Sequence, residues 1–222
     1  MPIIEPFEKH LIEYEAWFDK YLQIYQSELL AIKSIANVHE NAVEVGIGSG
    51  LFAKPLGIKR GIDPSWAMIQ KAKERGLQVN YGIAENLPWN DNSIDYALMV
   101  TTICFVDDPL KSISEVYRIL KPNGTFVIGF VDKDSQVGKQ YLKYKNTSIF
   151  YKDAIFFSTK EILSFFQKTG FKKEKILQTV FGQLDEIKKS QKPEQGSGKG
   201  SFVVIKGIKD NIVNKNVPSL KK

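Results

Sequence analysis

An α/β fold with a doubly wound, seven-stranded sheet is predicted by the order of segments along this chain of 222 residues. Short β-branched runs alternate with segments of helical periodicity from residue 42 onward, which is typical of βαβ units around a parallel sheet. A glycine-rich turn follows the first run, where such sheets commonly bind a nucleotide. The composition, with 43% hydrophobic and 25% charged residues, is that of a globular chain with a full core.

Two helices are predicted ahead of the sheet, because apolar residues recur at helical spacing between Phe7 and Ala36. The predicted strands are Ala42 to Val45, Gly61 to Ile62, Gln78 to Tyr81, Ile94 to Val100, Thr125 to Val131, Phe171 to Phe181 and Ser201 to Ile208. The last two strands have no helix between them, so they are expected to pair antiparallel as a C-terminal hairpin. The run from Lys121 to Gly124 is expected to be a turn.

Helix boundaries are marked by capping residues. Asp108 followed by Pro109 predicts a capped helix start after the fourth strand. Ser158 and Glu161 predict a capping box, and Gly170 predicts the end of the same helix. These signals predict one helix between the fourth and fifth strands and another ahead of the sixth.

One domain is predicted over residues 1–208, followed by a polar, basic tail over residues 209–222. Within the domain, residues 1–38 are expected to form an N-terminal helical cap. Residues 132–157 form an insertion that is long for a connection between a strand and a helix and is rich in Tyr, Phe and Lys. Long loops of this kind are often lids, although the aromatic residues of this one could equally pack an extra helix on the sheet.

The net charge of +6 raises the question of a nucleic-acid partner. Residues 206–222 contain five lysines and one aspartate, which is +4 of the total and leaves +2 for the first 205 residues. The excess positive charge therefore lies mainly on a polar tail. A solvated tail is the preferred interpretation, and a nucleic-acid partner is not expected.

No segment indicates a membrane partner or an export signal. The longest apolar stretch, around Tyr96 to Val106, is too short for a membrane span. The first ten residues lack a basic segment followed by an apolar one. Cys104 is the only cysteine, so no disulfide can form within the chain, and a cytoplasmic location is expected.

The motif that carries chemistry is the turn from Glu44 to Gly50, which reads EVGIGSG. Glycines here let the backbone approach a nucleotide without intervening side chains. A dinucleotide-binding fingerprint would need its third glycine at Leu51, so the spacing argues against NAD. Asp63 ends the second strand, where a carboxylate can accept hydrogen bonds from both ribose hydroxyls.

Further segments extend this pattern: GIDPS around Asp63, AENLPW from Ala84, SIDYALMVTTICFVDDP from Ser93 and RILKPNG from Arg118. In this order and spacing they resemble the class I S-adenosylmethionine-dependent methyltransferases, specifically the ubiquinone/menaquinone-biosynthesis-like branch termed type 11. The resemblance covers about residues 40–205. It implies S-adenosylmethionine as the cofactor and a methyl group as what is transferred.

The resemblance also implies how the cofactor would be held. Glu44 would contact the methionine amino group through water, and Asp63 would bind the ribose hydroxyls. Thr101 would face the methionine end, although plain packing in the strand is an equal alternative. The remaining candidates along the cofactor are Gly46, Ile47, Gly48, Gly50, Pro64, Ser65, Met68, Ala84, Glu85 and Tyr14.

Adenine recognition departs from the family pattern. Many relatives have an acid that contacts the adenine amine, and that position is Ile83 in this chain. We therefore expect the backbone around Ala84 and Glu85 to recognise adenine, with Met68 or Trp66 as apolar cover.

The acceptor pocket is expected to lie between the N-terminal cap and the insertion. Many relatives have one or two histidines near the donor methyl, where this chain has Ile103, Cys104 and Phe105, so no catalytic base is assigned. The candidates for the acceptor pocket are Trp17, Thr102, Phe105, Asp132, Tyr141 and Tyr151.

Two other chemistries are weighed and set aside. Cys104 could be a covalent nucleophile, but no proline precedes it as in cytosine-carbon methyltransferases, so a buried, inert thiol is preferred. Asp107 and Asp108 could be a metal pair, but a helix cap at Asp108 explains their order better. His10 and His39 are isolated, so no metal site is predicted.

The function predicted from these features is methyl transfer to a small-molecule acceptor. A non-catalytic S-adenosylmethionine-binding module is the first alternative. An RNA methyltransferase is a weaker one, because neither an appended binding domain nor a basic face is visible. No sequence feature indicates an oligomeric state.

Overall fold

Alternating β-branched and amphipathic segments form an eight-stranded sheet with helices on both faces in the computed structural model, which describes residues 2–210. The strands are β1 (Ala42–Val45), β2 (Arg60–Asp63), β3 (Gln78–Tyr81), β4 (Ile94–Val100), β5 (Leu120–Val131), β6 (Phe171–Thr179), β7 (Glu194–Gln195) and β8 (Phe202–Lys209). The helices are α1 (Glu5–Lys9), α2 (Leu11–Lys20), α3 (Leu22–Lys33), α4 (Ala53–Leu56), α5 (Trp66–Glu74), α6 (Pro109–Ile119), α7 (Gln136–Tyr144) and α8 (Thr159–Thr169).

The strand order is β3-β2-β1-β4-β5-β8-β6-β7. Strands β1 to β5 pair in parallel, and β8 is antiparallel to both β5 and β6. The order reverses between β1 and β4, so the glycine turn after β1 lies at the switch point where doubly wound sheets bind ligands. The predicted fold class and the antiparallel C-terminal pair are confirmed.

Three details differ from the sequence-based expectation. Between residues 2 and 41 the structure has three helices instead of two, because the backbone leaves the helical range at His10 and Tyr21, each with ψ of 40°. The predicted turn at residues 121–124 falls within β5 as an irregularity around Asn123, whose φ is 63°. The two-residue β7 adds an eighth strand beside β6.

The core has two layers, one on each face of the sheet. On one face, α6 and α8 cover the strands with Ile113, Val116, Ile119, Ile162 and Phe166. On the other face, α3, α4 and α5 contribute Ile24, Ile32, Ala53, Ile69 and Ala72. Both layers are buried aliphatic and aromatic side chains, which is the main stabilising contribution expected for such a fold.

The predicted helix caps form. The Asp108 side chain accepts a hydrogen bond from the Lys111 N–H (3.0 Å) at the start of α6. Ser158 and Glu161 form the capping box of α8, and Gly170 ends that helix in a left-handed conformation. The insertion contains α7 and one turn of 3-10 helix at Lys145–Thr147 before the chain reaches α8.

The boundary of the basic tail shifts. Lys209 is the last residue of β8, where its ammonium group donates to the carbonyl oxygens of Tyr117 (2.7 Å) and Leu120 (2.8 Å). Residues 211–222 of the predicted tail lie outside the described residues. Within residues 2–210, no helix is long and apolar enough to cross a membrane.

Candidate active site

The turn after β1 depends on its glycines. Gly46 (φ +69°) and Gly48 (φ +55°) adopt the left-handed conformation that glycine tolerates best. A Cβ atom on Gly46 would lie 2.2 Å from Thr102 Cγ2, so no larger residue fits without displacing that side chain. The Gly48 N–H donates to Asp63 Oδ2 (2.8 Å), which joins the turn to the end of β2.

The Asp63 carboxylate is held by backbone groups at both oxygens. Gly48 donates to Oδ2, and the Ser65 N–H donates to Oδ1 (2.9 Å). Burial raises the pKa of Asp63 to about 6, against the lowering effect of these two bonds. Each carboxylate oxygen can accept more than one hydrogen bond, so acceptor capacity remains for two hydroxyl groups.

Glu44 is a buried acid in the middle of the sheet. Its side chain is on β1, 1% exposed, and its Oε2 atom has no hydrogen-bond partner in the described part of the chain. Burial raises the pKa of Glu44 well above its ordinary value, although a hydrogen bond from the Ala53 N–H lowers it. An unpartnered carboxyl here fits the amino group of S-adenosylmethionine, reached through water, because a nearby cation would favour its charged form.

A cavity at the carboxyl ends of β1, β2, β4 and β5 lies beneath α1, α2 and α3 and beside the insertion. It brings cofactor and acceptor candidates to one place. The predicted site residues that line it are Tyr14, Trp17, Gly46, Asp63, Pro64, Met68, Ala84, Glu85, Thr101, Thr102, Phe105, Tyr141 and Tyr151.

The other predicted site residues are not part of the cavity lining. They are Glu44, Ile47, Gly48, Gly50, Ser65 and Asp132. Ile47 is buried in the core, and Ser65 caps α5 by accepting a hydrogen bond from the Met68 N–H. A Cβ atom on Gly50, whose φ is +86°, would lie 2.3 Å from Leu77 Cδ1, so a larger residue would be strained and would displace that side chain.

Asp132 is expected in the acceptor pocket, but the structure places its carboxylate at the start of α8. Oδ2 accepts from the N–H (3.0 Å) and the hydroxyl (2.5 Å) of Thr159, and Oδ1 accepts from the Asp134 N–H (2.9 Å). The buried carboxylate therefore joins the end of β5 to α8. Trp66, expected as cover for adenine, is 54% exposed and stacks on Tyr81 away from the cavity lining.

The wall expected to receive adenine is apolar. Met68, Ile83 and Ala84 line it, with the backbone of Gly82 beside them. Glu85 is occupied in part, because its Oε1 accepts from the backbone N–H groups of residues 107 (2.8 Å) and 108 (3.2 Å). This carboxyl therefore fixes the loop that follows β4.

Thr101 follows β4 with a φ of 49°, which is strained for a β-branched residue. Its N–H donates to the Gly129 carbonyl (2.8 Å), and its side chain lines the cavity. The Cys104 thiol donates to the Thr101 carbonyl (3.3 Å). Burial raises the pKa of Cys104 to about 12, so the thiol stays protonated at neutral pH, in agreement with the expected inert cysteine.

The N-terminal cap is attached through two carboxylates that the sequence analysis missed. Glu8 in α1 accepts from the Ser65 hydroxyl (2.7 Å) and the Ala67 N–H (3.3 Å) at the start of α5. Glu15 in α2 accepts from the Ser49 hydroxyl (2.5 Å) and pairs with Arg75. The cap is thus bonded to the glycine turn and to the helix after β2.

An aromatic compartment lies where the cap meets the insertion. Phe7 packs edge-on against Phe105, with ring centroids 4.8 Å apart, and also against Phe150. Tyr151 stacks on Tyr141 at 4.7 Å and on Phe105 at 6.1 Å. All five residues line the cavity, so part of its wall is formed by stacked rings.

Glu28 is the charged residue of the cavity lining that the sequence analysis missed. It lies on α3 and is 5% exposed, on the same buried face as Ile24, Ala31 and Ile32. The available signal was a charged residue at helical spacing within an apolar stripe, since Ile24, Glu28 and Ala31 are four and three residues apart.

Comparison with known proteins shows that the chain is similar to methyltransferases. A family profile described as a methyltransferase domain, type 11, matches residues 43–128. These residues include the glycine turn, Asp63 and the segments through β4 and β5 that form the cavity floor.

Two relatives match nearly the whole chain. A crystal structure from Thermotoga maritima, described as a "SAM-dependent methyltransferase, possible histamine N-methyltransferase", is 46% identical with a TM-score of 0.91, covering 94% of this chain and 100% of that one. An uncharacterized protein of Methanocaldococcus jannaschii is 41% identical over 203 residues, 91% of this chain and 98% of its own.

A third relative matches a shorter part of the chain. The ubiquinone/menaquinone biosynthesis C-methyltransferase of Rickettsia bellii is 34% identical over 114 residues, 43% of this chain and 46% of that protein. The residues that the family profile matches include the glycine turn and Asp63. The chain belongs to the class I S-adenosylmethionine-dependent methyltransferases of the type 11 branch, and S-adenosylmethionine is its cofactor.

Proposed function

We propose that this methyltransferase transfers a methyl group to a small-molecule acceptor by in-line displacement. The observation that supports the proposal is one cavity with Asp63 on one wall and the aromatic compartment on another. Small-molecule sites are concave and mostly apolar, with a few polar groups that fix orientation. A cavity lying beneath the N-terminal cap suits such an acceptor better than a polymer.

The residues that bind the cofactor follow from their chemistry. Asp63 accepts hydrogen bonds from the ribose hydroxyls, and Glu44 holds the methionine amino group through water. The backbone at Ala84 and Glu85 recognises adenine against the side chain of Met68. When bound, S-adenosylmethionine supplies a methyl group on a positively charged sulfur.

We attribute the rate acceleration to the alignment of the methyl donor with the acceptor. Holding two reactants in line can contribute about 7 to 11 kcal/mol. The stacked rings of Phe105, Tyr141 and Tyr151 exclude water from the acceptor side, and the strained Thr101 lies in the cavity wall between β1 and β5. The buried thiol of Cys104 takes no part in the transfer.

The description of the Thermotoga maritima relative gives a starting point for the acceptor. That protein is described as a histamine N-methyltransferase candidate. Small amines are therefore the first acceptors to test with this enzyme, beside thiols and phenols.

Calorimetry with S-adenosylhomocysteine, the demethylated cofactor, tests the cofactor site. We expect binding of S-adenosylhomocysteine and none of NAD. Asp63→Ala should weaken binding by about 1.5 to 3 kcal/mol, because hydrogen bonds to a charged group are lost. Asp19→Ala, at an exposed position on α2, is the control and should leave the dissociation constant unchanged.

An unchanged dissociation constant in the Asp63 variant would remove that residue from the site. Transfer of a labelled methyl group to amines, thiols and phenols then tests the activity. Methylation of RNA in preference to every small molecule would overturn the proposal.

A further inference from the structure

We infer that the methyl acceptor is a small amine, and that the Glu28 carboxyl group binds its ammonium form. This inference rests on the proposed function and names the acceptor class of that same cavity. It is carried by the position of Glu28 and by the charge of the cavity wall.

Glu28 is a buried carboxyl whose hydrogen-bonding needs are not met by the protein. It lines the cavity and is 5% exposed. No group in residues 2–210 donates a hydrogen bond to it or forms an ion pair with it. Burying a carboxyl without such partners is costly, and an apolar side chain would suit the stripe formed with Ile24 and Ala31 better.

Glu28 and Asp63, the carboxylate proposed to bind the ribose, belong to different parts of the cavity wall. Its helix, α3, packs against β5, β6 and β8, and Val131 at the end of β5 lines the same cavity. Asp63 ends β2, which is three strands from β5 in the sheet. At the usual strand spacing the carboxyl ends of β2 and β5 are about 14 Å apart. Glu28 is therefore placed for the acceptor and not for the ribose.

The charge of the cavity wall favours a cation. The charged residues that line it are Asp63, Glu85 and Glu28, and no lysine, arginine or histidine is among the described lining residues. Burial raises the pKa of Glu28 to about 8. A bound cation would reverse this effect, whereas a carboxylate, a phosphate or a phenolate would be repelled.

Aromatic rings complete the acceptor end. Trp17, Tyr141 and Tyr151 line the cavity with Glu28, and the faces of such rings attract ammonium groups. Burial raises the pKa of both tyrosines far above neutral, so their hydroxyl groups stay uncharged. An amine with an aromatic or aliphatic body fits this combination of rings and one carboxylate.

The methyl transfer needs only the amine, the cofactor and the Glu28 carboxylate. The acceptor ammonium gives one proton to the Glu28 carboxylate, and the nitrogen lone pair then forms the new N–C bond. The C–S bond of the cofactor breaks, its electron pair stays on sulfur, and the positive charge passes to the methylated nitrogen. The proton on Glu28 returns to solvent when the product leaves.

The test uses the full chain and a panel of small primary amines, with the alcohol and the carboxylate that match each amine in shape. We expect at least one amine to raise the melting temperature of the complex with S-adenosylhomocysteine and to be methylated. The matching alcohol and carboxylate should do neither. Glu28→Gln should lower kcat/KM for that amine at least about 50-fold, while Glu40→Gln, at an exposed loop position, should not.

Stability and cofactor binding separate an acceptor role from a structural one. Glu28→Gln should leave the dissociation constant of S-adenosylhomocysteine unchanged. It should keep or raise the melting temperature of the protein, because Glu28 accepts no hydrogen bond from residues 2–210 that the substitution could remove. A structural role would instead lower the melting temperature.

Two outcomes overturn the inference. One is that no amine in the panel shifts the melting temperature of the cofactor complex. The other is that Glu28→Gln methylates its best acceptor as fast as the wild type. If S-adenosylhomocysteine binds and only thiols or phenols are methylated, this inference fails and the proposed function stands. Failure of S-adenosylhomocysteine to bind at all would count against the proposed function itself.

Discussion

At the residue scale, three acids differ in their hydrogen-bond donors: Glu44, Asp63 and Asp132. Each lies on a strand or directly after one and is buried. Asp63 is bonded through backbone N–H groups and still faces the cavity, whereas Asp132 is bonded to Thr159 and faces α8. Glu44 keeps one oxygen atom without a partner among the described residues. Glu44 and Asp63, the two candidates for binding the cofactor, are thus the acids that can still accept a hydrogen bond.

Asp132→Asn should lower stability without weakening cofactor binding. Asparagine has one acceptor oxygen instead of two, so either Thr159 or the Asp134 N–H loses its acceptor whichever way the amide turns, at a cost of about 1 to 3 kcal/mol. Urea denaturation measures the loss, and calorimetry with S-adenosylhomocysteine should give the wild-type dissociation constant. A large loss of acceptor turnover with unchanged stability would return Asp132 to the acceptor pocket.

Glu28 should make the stability of the ligand-free protein fall as pH rises. Burial raises its pKa from 4.5 to about 8, so between these values the unfolded chain releases a proton that the folded protein keeps. The groups that face it are the tyrosines at positions 14, 25, 141 and 151, whose raised pKa values keep them neutral throughout. The free energy of unfolding should therefore drop by up to about 5 kcal/mol across this range.

Glu28→Gln isolates this effect, because glutamine does not titrate. Urea denaturation at about pH 5 and about pH 8 should show the variant gaining stability over the wild type as pH rises. An equal pH dependence in both proteins would mean that the Glu28 carboxyl ionises normally.

At the scale of elements, the N-terminal cap contacts both the glycine-turn side of the cavity and the aromatic compartment. Glu8 and Glu15 bond it to α5 and to the turn, and Phe7 packs on Phe105 and Phe150 in the aromatic compartment. A ligand that orders one part should therefore order the cap as well. This coupling is the physical basis for expecting the cap and the insertion to act as a lid.

Glu15→Gln should loosen the cap and speed cofactor release. The variant loses the ion pair with Arg75 and weakens the bond to Ser49, and we expect S-adenosylhomocysteine to bind about tenfold more weakly, ~1.4 kcal/mol. Hydrogen exchange should show that S-adenosylhomocysteine protects α1, α2 and the insertion in the wild type and protects them less in the variant.

Glu13→Gln on the same helix is the matched control, since the Glu13 side chain is exposed and its carboxylate lies 3.3 Å from the His10 ring, outside the contacts that attach the cap. It should behave as the wild type. Equal protection of the cap with and without S-adenosylhomocysteine in the wild type would contradict a lid.

At the scale of the whole molecule, the sheet order concentrates the chemistry at one edge. Parallel strands β1, β2, β4 and β5 all end at the cavity. The antiparallel strand β8 lies between β5 and β6. Residues 206–222 carry +4 of the +6 net charge of the sequence, and no lysine, arginine or histidine is among the described residues that line the cavity. The cavity itself is lined by acids.

Removal of residues 211–222 should leave methyl transfer unchanged. The deletion keeps Lys209, whose ammonium group is bonded to the end of α6, and removes three lysines. Activity of the truncated chain at low and moderate salt is the measurement, alongside RNA binding of the full chain. Tight RNA binding that weakens steeply with salt and is lost on truncation would favour an RNA methyltransferase.

The sequence by itself determined the fold class, the cofactor and most of the cavity lining. Strand periodicity, the glycine turn and Asp63 are local signals, since each depends on neighbours within a few residues. Helix ends at Asp108, Ser158 and Gly170 were equally readable, because capping groups bond to backbone only a few residues away.

Only the tertiary structure decided where the side chains of Asp132, Trp66 and Glu28 lie. Asp132 meets Thr159 across 27 residues, and Trp66 turns outward to stack on Tyr81. Glu28 comes to Tyr141 and Tyr151 because α3 packs over β5 and β8, which are far apart in the chain. Whether a polar side chain is satisfied by the protein or left for a ligand depends on such distant partners, and no local pattern records them.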